Sequence, residues 1–165
     1  MTSLSRLGTF GVPLIVLALT QGAMAQSSSE IVSAANPAQI LAVASSVGSA
    51  SLTTDSTTGD PRIVGQIGTK PYSLYFYGCK NGKYCTDVQF NAAWAHAQTT
   101  LTALNQWHRT SMYGHAFLVN KAGDLVLQMP LNLDYGVTPK NLMAAFNDWI
   151  LTVQDFELKV AKTTK

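Results

Sequence analysis

The stretch Tyr72-Ser73-Leu74-Tyr75-Phe76-Tyr77-Gly78-Cys79, linked through Lys80-Asn81-Gly82-Lys83 to Tyr84-Cys85-Thr86-Asp87-Val88-Gln89-Phe90-Asn91-Ala92, decides the fold. Both halves are rich in aromatic and β-branched residues and alternate in polarity, as two half-buried strands of a hairpin do. Two registers compete. A two-residue Asn81-Gly82 turn sets Cys79 against Tyr84, Phe76 against Asp87 and Leu74 against Gln89. An odd-length loop sets Cys79 against Cys85, Phe76 against Val88 and Leu74 against Phe90. In the second register one face gathers Leu74, Phe76, Val88 and Phe90, while the other carries Tyr75, Tyr77, Asp87, Gln89 and the two sulfurs. A one-residue slip reverses every side chain, so hydrophobic pairing and sulfur pairing select the same register independently. Directly opposed strand residues also stand within reach of a disulfide.

Outward from this hairpin, turn and cap signals divide the rest of the chain. Asn36-Pro37 reads as an N-cap followed by proline at the first helical position, with Ile40, Leu41, Ala44 and Val47 at helical spacing and Gly48 as the stop. Ser49 to Thr54 and Arg62 to Ile67 read as strands around a polar turn, Asp55 to Pro61. After the central hairpin, Thr102 is the expected cap of a helix placing Leu104, Trp107, His108 and Ser111 on one side. Gly114 to Val119 and Leu125 to Leu131 form a further hairpin around Asn120 to Asp124. Thr138 and Pro139 open the last helix, whose stripe is Leu142, Phe146, Trp149, Ile150, Val153 and Phe156. The fold class is α+β, an antiparallel sheet with packed helices in the order α-β-β-β-β-α-β-β-α.

The first 25 residues have a different character. Arg6 precedes an apolar run from Leu7 to Leu19, and Ala23-Met24-Ala25 places small residues where a signal peptidase reads. The run contains Pro13 and is shorter than the ~20 residues a membrane-crossing helix needs. It is therefore expected to be a signal peptide cleaved after Ala25, with no membrane span left and a periplasmic or secreted product. The expected organisation is signal peptide 1–25, flexible leader 26–35, domain 36–160 and tail 161–165. In an exported chain a close, even pair of cysteines reads as a disulfide, and Cys79 and Cys85 are the two the chain contains.

Composition narrows the function classes. The 165 residues are 47% hydrophobic and 12% charged, with eleven Lys+Arg against nine Asp+Glu. The charged share is about half the ~25% usual in globular domains, and the hydrophobic share is too high for a disordered chain. The basic residues are scattered rather than striped, so nucleic acid is not an expected partner. His96, His108 and His115 fall on a linker, a helix and a strand, and no pair has the i, i+4 spacing of a helical zinc site. The cystine removes the thiol a Cys/His hydrolase needs. There is no Gly-x-Ser-x-Gly elbow, and Gly59, Gly65 and Gly68 precede no lysine-bearing helix start. Asp124 and Asp134 sit in turns, where aspartate bonds its own backbone. No catalytic residue, metal site or cofactor is expected.

The aromatic residues Tyr72, Tyr75, Tyr77, Tyr84, Trp94 and Trp107 remain. The face carrying Tyr75 and Tyr77 is either covered, by a helix or by Trp94, or open as a binding surface to which Trp107 adds area. The rival arrangement is a ligand or enzyme site assembled from Tyr75, Tyr77, Asp87, His108 and Arg109.

Several of these segments carry a family likeness: Gly59-Asp60-Pro61, Tyr75-Phe76-Tyr77-Gly78-Cys79, Cys85 with Val88-Gln89-Phe90, Leu104-Asn105-Gln106-Trp107, Gly123-Asp124-Leu125-Val126-Leu127 and Asp134-Tyr135-Gly136-Val137. Together, from about Ser49 to Phe156, they resemble the exported, cysteine-containing branch of YbjN-domain proteins, bacterial sensory transduction regulators. The resemblance implies a fold like that of type III secretion chaperones, a bacterial source and no catalytic set. The expected function is non-enzymatic protein binding in the bacterial envelope, with an unidentified protein or a second copy of the chain as partner. A shared fold does not carry a chaperone function with it.

Overall fold

The computed structural model describes residues 31–119 and 124–161. It pairs the central hairpin as the apolar pattern requires, with Leu74 facing Phe90 and Phe76 facing Val88. The elements in chain order are α1 (Pro37–Val47), β1 (Ser49–Thr54), β2 (Pro61–Ile67), β3 (Lys70–Tyr77), β4 (Asp87–Trp94), α2 (Leu101–His108), β5 (His115–Leu118), β6 (Leu125–Asn132) and α3 (Pro139–Lys159). The α+β class and the element order are those expected. Residues 1–25, expected to be a signal peptide, residues 26–30 of the expected leader, residues 120–123 and residues 162–165 of the expected tail lie outside the described residues.

The six strands form one antiparallel sheet in the order β1-β2-β3-β4-β6-β5. Consecutive hairpins build β1 to β4. The chain then leaves through α2 and β5 and returns, so that β6 lies beside β4. α1 packs over β1 and β2 and against α3, while α2 packs on β5 and α3. All three helices therefore cover the same face, and the core lies between the two layers. Inward strand residues Ile63, Leu74, Phe76, Val88, Phe90, Leu125 and Leu127 are almost completely buried, as is the α3 stripe of Leu142, Phe146, Trp149 and Phe156. Phe90 stacks on Trp149 with centroids 5.3 Å apart and meets Phe146 edge-on at 4.9 Å.

Local chemistry explains the element ends. Thr138 accepts from the Asn141 amide and Pro139 follows it, which opens α3 in the expected way. The cap of α2 is Thr100, not Thr102: the Thr100 hydroxyl accepts from the Ala103 amide, so the helix begins at Leu101, earlier than that cap implies. Asn36 precedes α1 without a side-chain cap bond. The segment before α1 is tied in, because Val32 bridges Val137 and both Val32 and Ala34 are buried. The expected leader is thus part of the packed structure from at least Val32. At the other end Val160 and Ala161 are also buried, one residue past the expected domain limit. Gly136 has φ 75°, and a Cβ there would stand 2.1 Å from Ile31 Cγ2 and 3.1 Å from the Val32 carbonyl. Only glycine leaves that crossing open.

Candidate functional site: the uncovered face of the sheet

Because strand side chains alternate, the face turned away from the helices is set by the same residues that fix the core. Its central row runs Ser51, Val64, Ser73, Asn91, Gln128 and His115, one from each strand in spatial order. The neighbouring row contains Thr53, Arg62, Tyr75, Gln89 and Pro130. Tyr77 and Asp87 follow beyond it. The face is dominated by amides, hydroxyls and tyrosine rings.

Arg62 is the best-defined group on it. Its guanidinium lies 4.8 Å from the Tyr75 ring centroid, and Nη2 donates to Ser73 Oγ at 2.8 Å. Its Nε is buried and has no hydrogen-bond partner among the described residues. Arg62 also acts on the β1–β2 turn. The Asp55 carboxyl is held below its ordinary range first by the Thr58 and Thr57 amides and then, more weakly, by the Arg62 charge. Tyr77, 47% exposed, has its phenol pushed upward by partial burial and then by Tyr75 and Asp55. These groups form one electrostatic cluster where β2 begins and β3 ends. Asp87 takes a bond from Asn132 Nδ2 at 2.8 Å and another from the Thr86 hydroxyl, and His115 Nε2 lies 2.9 Å from Gln128 Oε1.

Tyr75 and Tyr77 thus stand together on an open face. Trp107 does not join them. It lies in the helical layer, 2% exposed, with its ring 4.8 Å from that of Phe156 and its indole N–H donating to Asp155 Oδ2. Its expected place on a binding surface is corrected by α2, whose buried side is Leu104 and Trp107. Trp94 is also turned to the helices and donates to Glu157 Oε1 at 2.9 Å, so it does not cover the tyrosine face.

The rival site does not assemble. His108 Nε2 accepts the Ala116 amide at 2.9 Å in the helical layer, whereas Asp87 belongs to the opposite face of the sheet. Arg109 caps α2 and lines a shallow cavity with Thr102, Asn105, Gln106 and Thr110. Among the described residues no group of three or more His, Cys, Asp or Glu is placed to hold a metal ion. Cavities occur in the helical layer instead: an open apolar groove of about 750 Å³ between α1 and α3, and a pocket of about 130 Å³ beside Tyr72, Trp149 and Val153.

Cys79 and Cys85 form a disulfide. The strict alternation stops before them, since β3 ends at Tyr77, β4 starts at Asp87 and Gly78 adopts φ 66°. Cys85 accordingly joins the buried cluster instead of sharing the tyrosine face. Alternation within Arg62 to Ile67 could have placed Arg62 opposite Ile63, but no reading of the chain alone brings Gln128 and His115 beside Asn91, because that depends on β6 lying next to β4.

The architecture defines a two-layer α+β domain with one sheet face that no described element covers and a cystine at one hairpin end. A family model described as YbjN, "Putative bacterial sensory transduction regulator", matches residues 36–161. The chain belongs to the YbjN family, and the description it brings is that of a regulator rather than of an enzyme. No curated protein matches the chain. No helix among the described residues is long and apolar enough to cross a membrane.

Proposed function

We propose that this YbjN domain is an exported, non-catalytic regulator that works by binding protein in the bacterial envelope, and that the uncovered sheet face bearing Arg62, Tyr75 and Tyr77 is its contact surface. A second copy of the chain is one of its partners. The single observation that carries the reading is the one-sided packing of the sheet. Six strands present a broad face of tyrosine, amide and hydroxyl groups, with one cation stacked on a tyrosine. Tyrosine and arginine supply rigid area and directional bonds at low entropic cost, which is why they concentrate at protein interfaces. Export rests on the charge, apolar run and Ala23-Met24-Ala25 ending of the first 25 residues, and the disulfide is compatible with it.

The test is photocrosslinking in living cells. A photoreactive residue at Tyr77 should give a discrete adduct with an envelope protein, and Arg62→Ala in the same chain should weaken it. The same group at Leu151, exposed on α3, should not give that adduct. Equal labelling from both positions, or a product whose N-terminus retains Arg6, would defeat the reading.

A further inference from the structure

We infer that two copies of this chain join edge to edge through β1, antiparallel about a two-fold axis normal to the sheet, to make one continuous twelve-stranded sheet. The inference rests on the self-association contained in the proposed function and gives it a surface. β1 pairs with β2 along its whole length, residue for residue from Ser49↔Gln66 to Thr54↔Pro61, and stands first in the sheet order. Among the described residues no strand pairs with its other edge, which therefore offers a row of backbone donors and acceptors. Natural sheets protect such edges with lysine, proline, a bulge, or by keeping the strand very short. β1 has none of these: Ser49-Ala50-Ser51-Leu52-Thr53-Thr54 is six residues long, uncharged, free of proline and regularly paired. The opposite edge of the sheet, β5, has four residues, so length alone limits it.

Charge and symmetry identify the occupant. Residues 31–54, which include all of α1 and β1, contain no Asp, Glu, Lys or Arg, although such residues make up 12% of the chain. A two-fold axis sets each residue near it against itself or a close neighbour. Any charge at the centre of a self-pairing strand would face its like, and β1 has no charge to oppose. The faces must also agree. With the axis normal to the sheet, both helical layers lie on one side, so facing residues must share a face. Leu52 is opposite Ile63 and Ala50 opposite Gly65, on the helical side. The registers that keep faces together and retain most of the strand set Leu52 against Leu52 or against Ala50 of the second copy. Either covers Leu52, a large apolar side chain 44% exposed at this edge.

The pairing also closes. It uses the long edge of each copy and leaves only the two short β5 edges, so it stops at two chains instead of growing into a fibre. The bare tyrosine faces lie side by side and stay free. A six-residue strand pair buries less than the ~1,200–2,000 Å² of a tight interface, so the dimer is expected to dissociate on dilution.

Sedimentation velocity of the protein as recovered from expressing cells, over a wide concentration series, is the test. The mass should rise from one chain to two and no further. Leu52→Lys and Ser51→Lys, both at exposed positions, should each weaken association roughly tenfold or more while leaving the near-UV circular dichroism unchanged. In a separate variant, Leu52→Cys should form an intermolecular disulfide on mild oxidation, and Leu151→Cys on α3 should not. A dimer that ignores both lysine substitutions overturns the β1 surface but leaves self-association standing. A chain that stays single at every concentration overturns both, while the Tyr77 crosslink still reports separately on the open face.

Discussion

Two indole groups tie α2 and β4 to α3 through carboxylates that are themselves paired. Trp107 donates to Asp155 and Trp94 to Glu157, while Lys159 lies 2.6 Å from Asp155 and Lys70 lies 2.6 Å from Glu157. Removing the acceptor leaves a buried N–H unpaired, so Asp155→Ala should cost about 1–3 kcal/mol in urea denaturation and Asp155→Asn less. The Asp155 carboxyl is held below its ordinary 3.8 chiefly by its bond to Lys159; burial opposes this, and the Trp107 indole adds a smaller lowering. A depressed value stabilises the fold in full above the unfolded pKa, and that contribution disappears as pH falls through the lower, folded value. Tryptophan fluorescence should follow that acid loss, and Asp155→Asn should remove this component. Tyr72 works at the other end of the scale. Burial pushes its phenol to about 12 from 10.0. The unfolded phenol ionises first as pH rises, so stability is full below pH 10 and declines between 10 and 12. Tyr72→Phe should flatten this alkaline decline, as read by denaturation midpoints, and its buried hydroxyl has no hydrogen-bond partner among the described residues, which makes the change inexpensive.

Among the elements, the β3–β4 hairpin shows how far a pattern of side chains can be carried. Leu74, Phe76, Val88 and Phe90 demand one register because one face must be dry, and that register brings the two cysteines into range. The loop they close spans six positions, for which the chain-entropy model gives about 2 kcal/mol. Replacing both cysteines by alanine should lower stability by about that amount and make the protein indifferent to reductant, with the sheet intact by circular dichroism. The α3 stripe was legible for the same reason, since its apolar period, from Leu142 to Phe156, runs for about four turns and admits one helix face. α2 was not. Its eight residues give too short a period to say which side is inward, and Trp107 looks the same in the chain whether it packs on Phe156 or faces water. The open face was half legible: Tyr75 and Tyr77 follow from alternation, but its full extent depends on β4 meeting β6 across α2 and β5. Partners distant in sequence, such as Asp155 for Trp107, leave no local signal.

For the molecule as a whole, both halves of the chain share a single apolar core. Phe90 from β4 meets Phe146 and Trp149 from α3, and Tyr72 from β3 meets Phe146. A shared core should unfold in one step, so fluorescence from Trp94, Trp107 and Trp149 and far-UV circular dichroism should trace the same denaturation curve. Phe90→Ala should shift that curve by about 3–5 kcal/mol without splitting it. The order of assembly is less even than the final packing. A ribosome releases β1 to β4, a set of nearest-neighbour hairpins, well before α3 exists, and α3 supplies the Phe146 and Trp149 rings that pack on Phe90 and Tyr72. For that interval α1 can seat on β1 and β2, but the greasy underside of β3 and β4 waits without the α3 rings, alongside the uncapped rim at β1. Delayed arrival of the final helix makes newly made chains the most vulnerable population, and a holdase that shields them should matter more for yield than any factor acting on the finished protein.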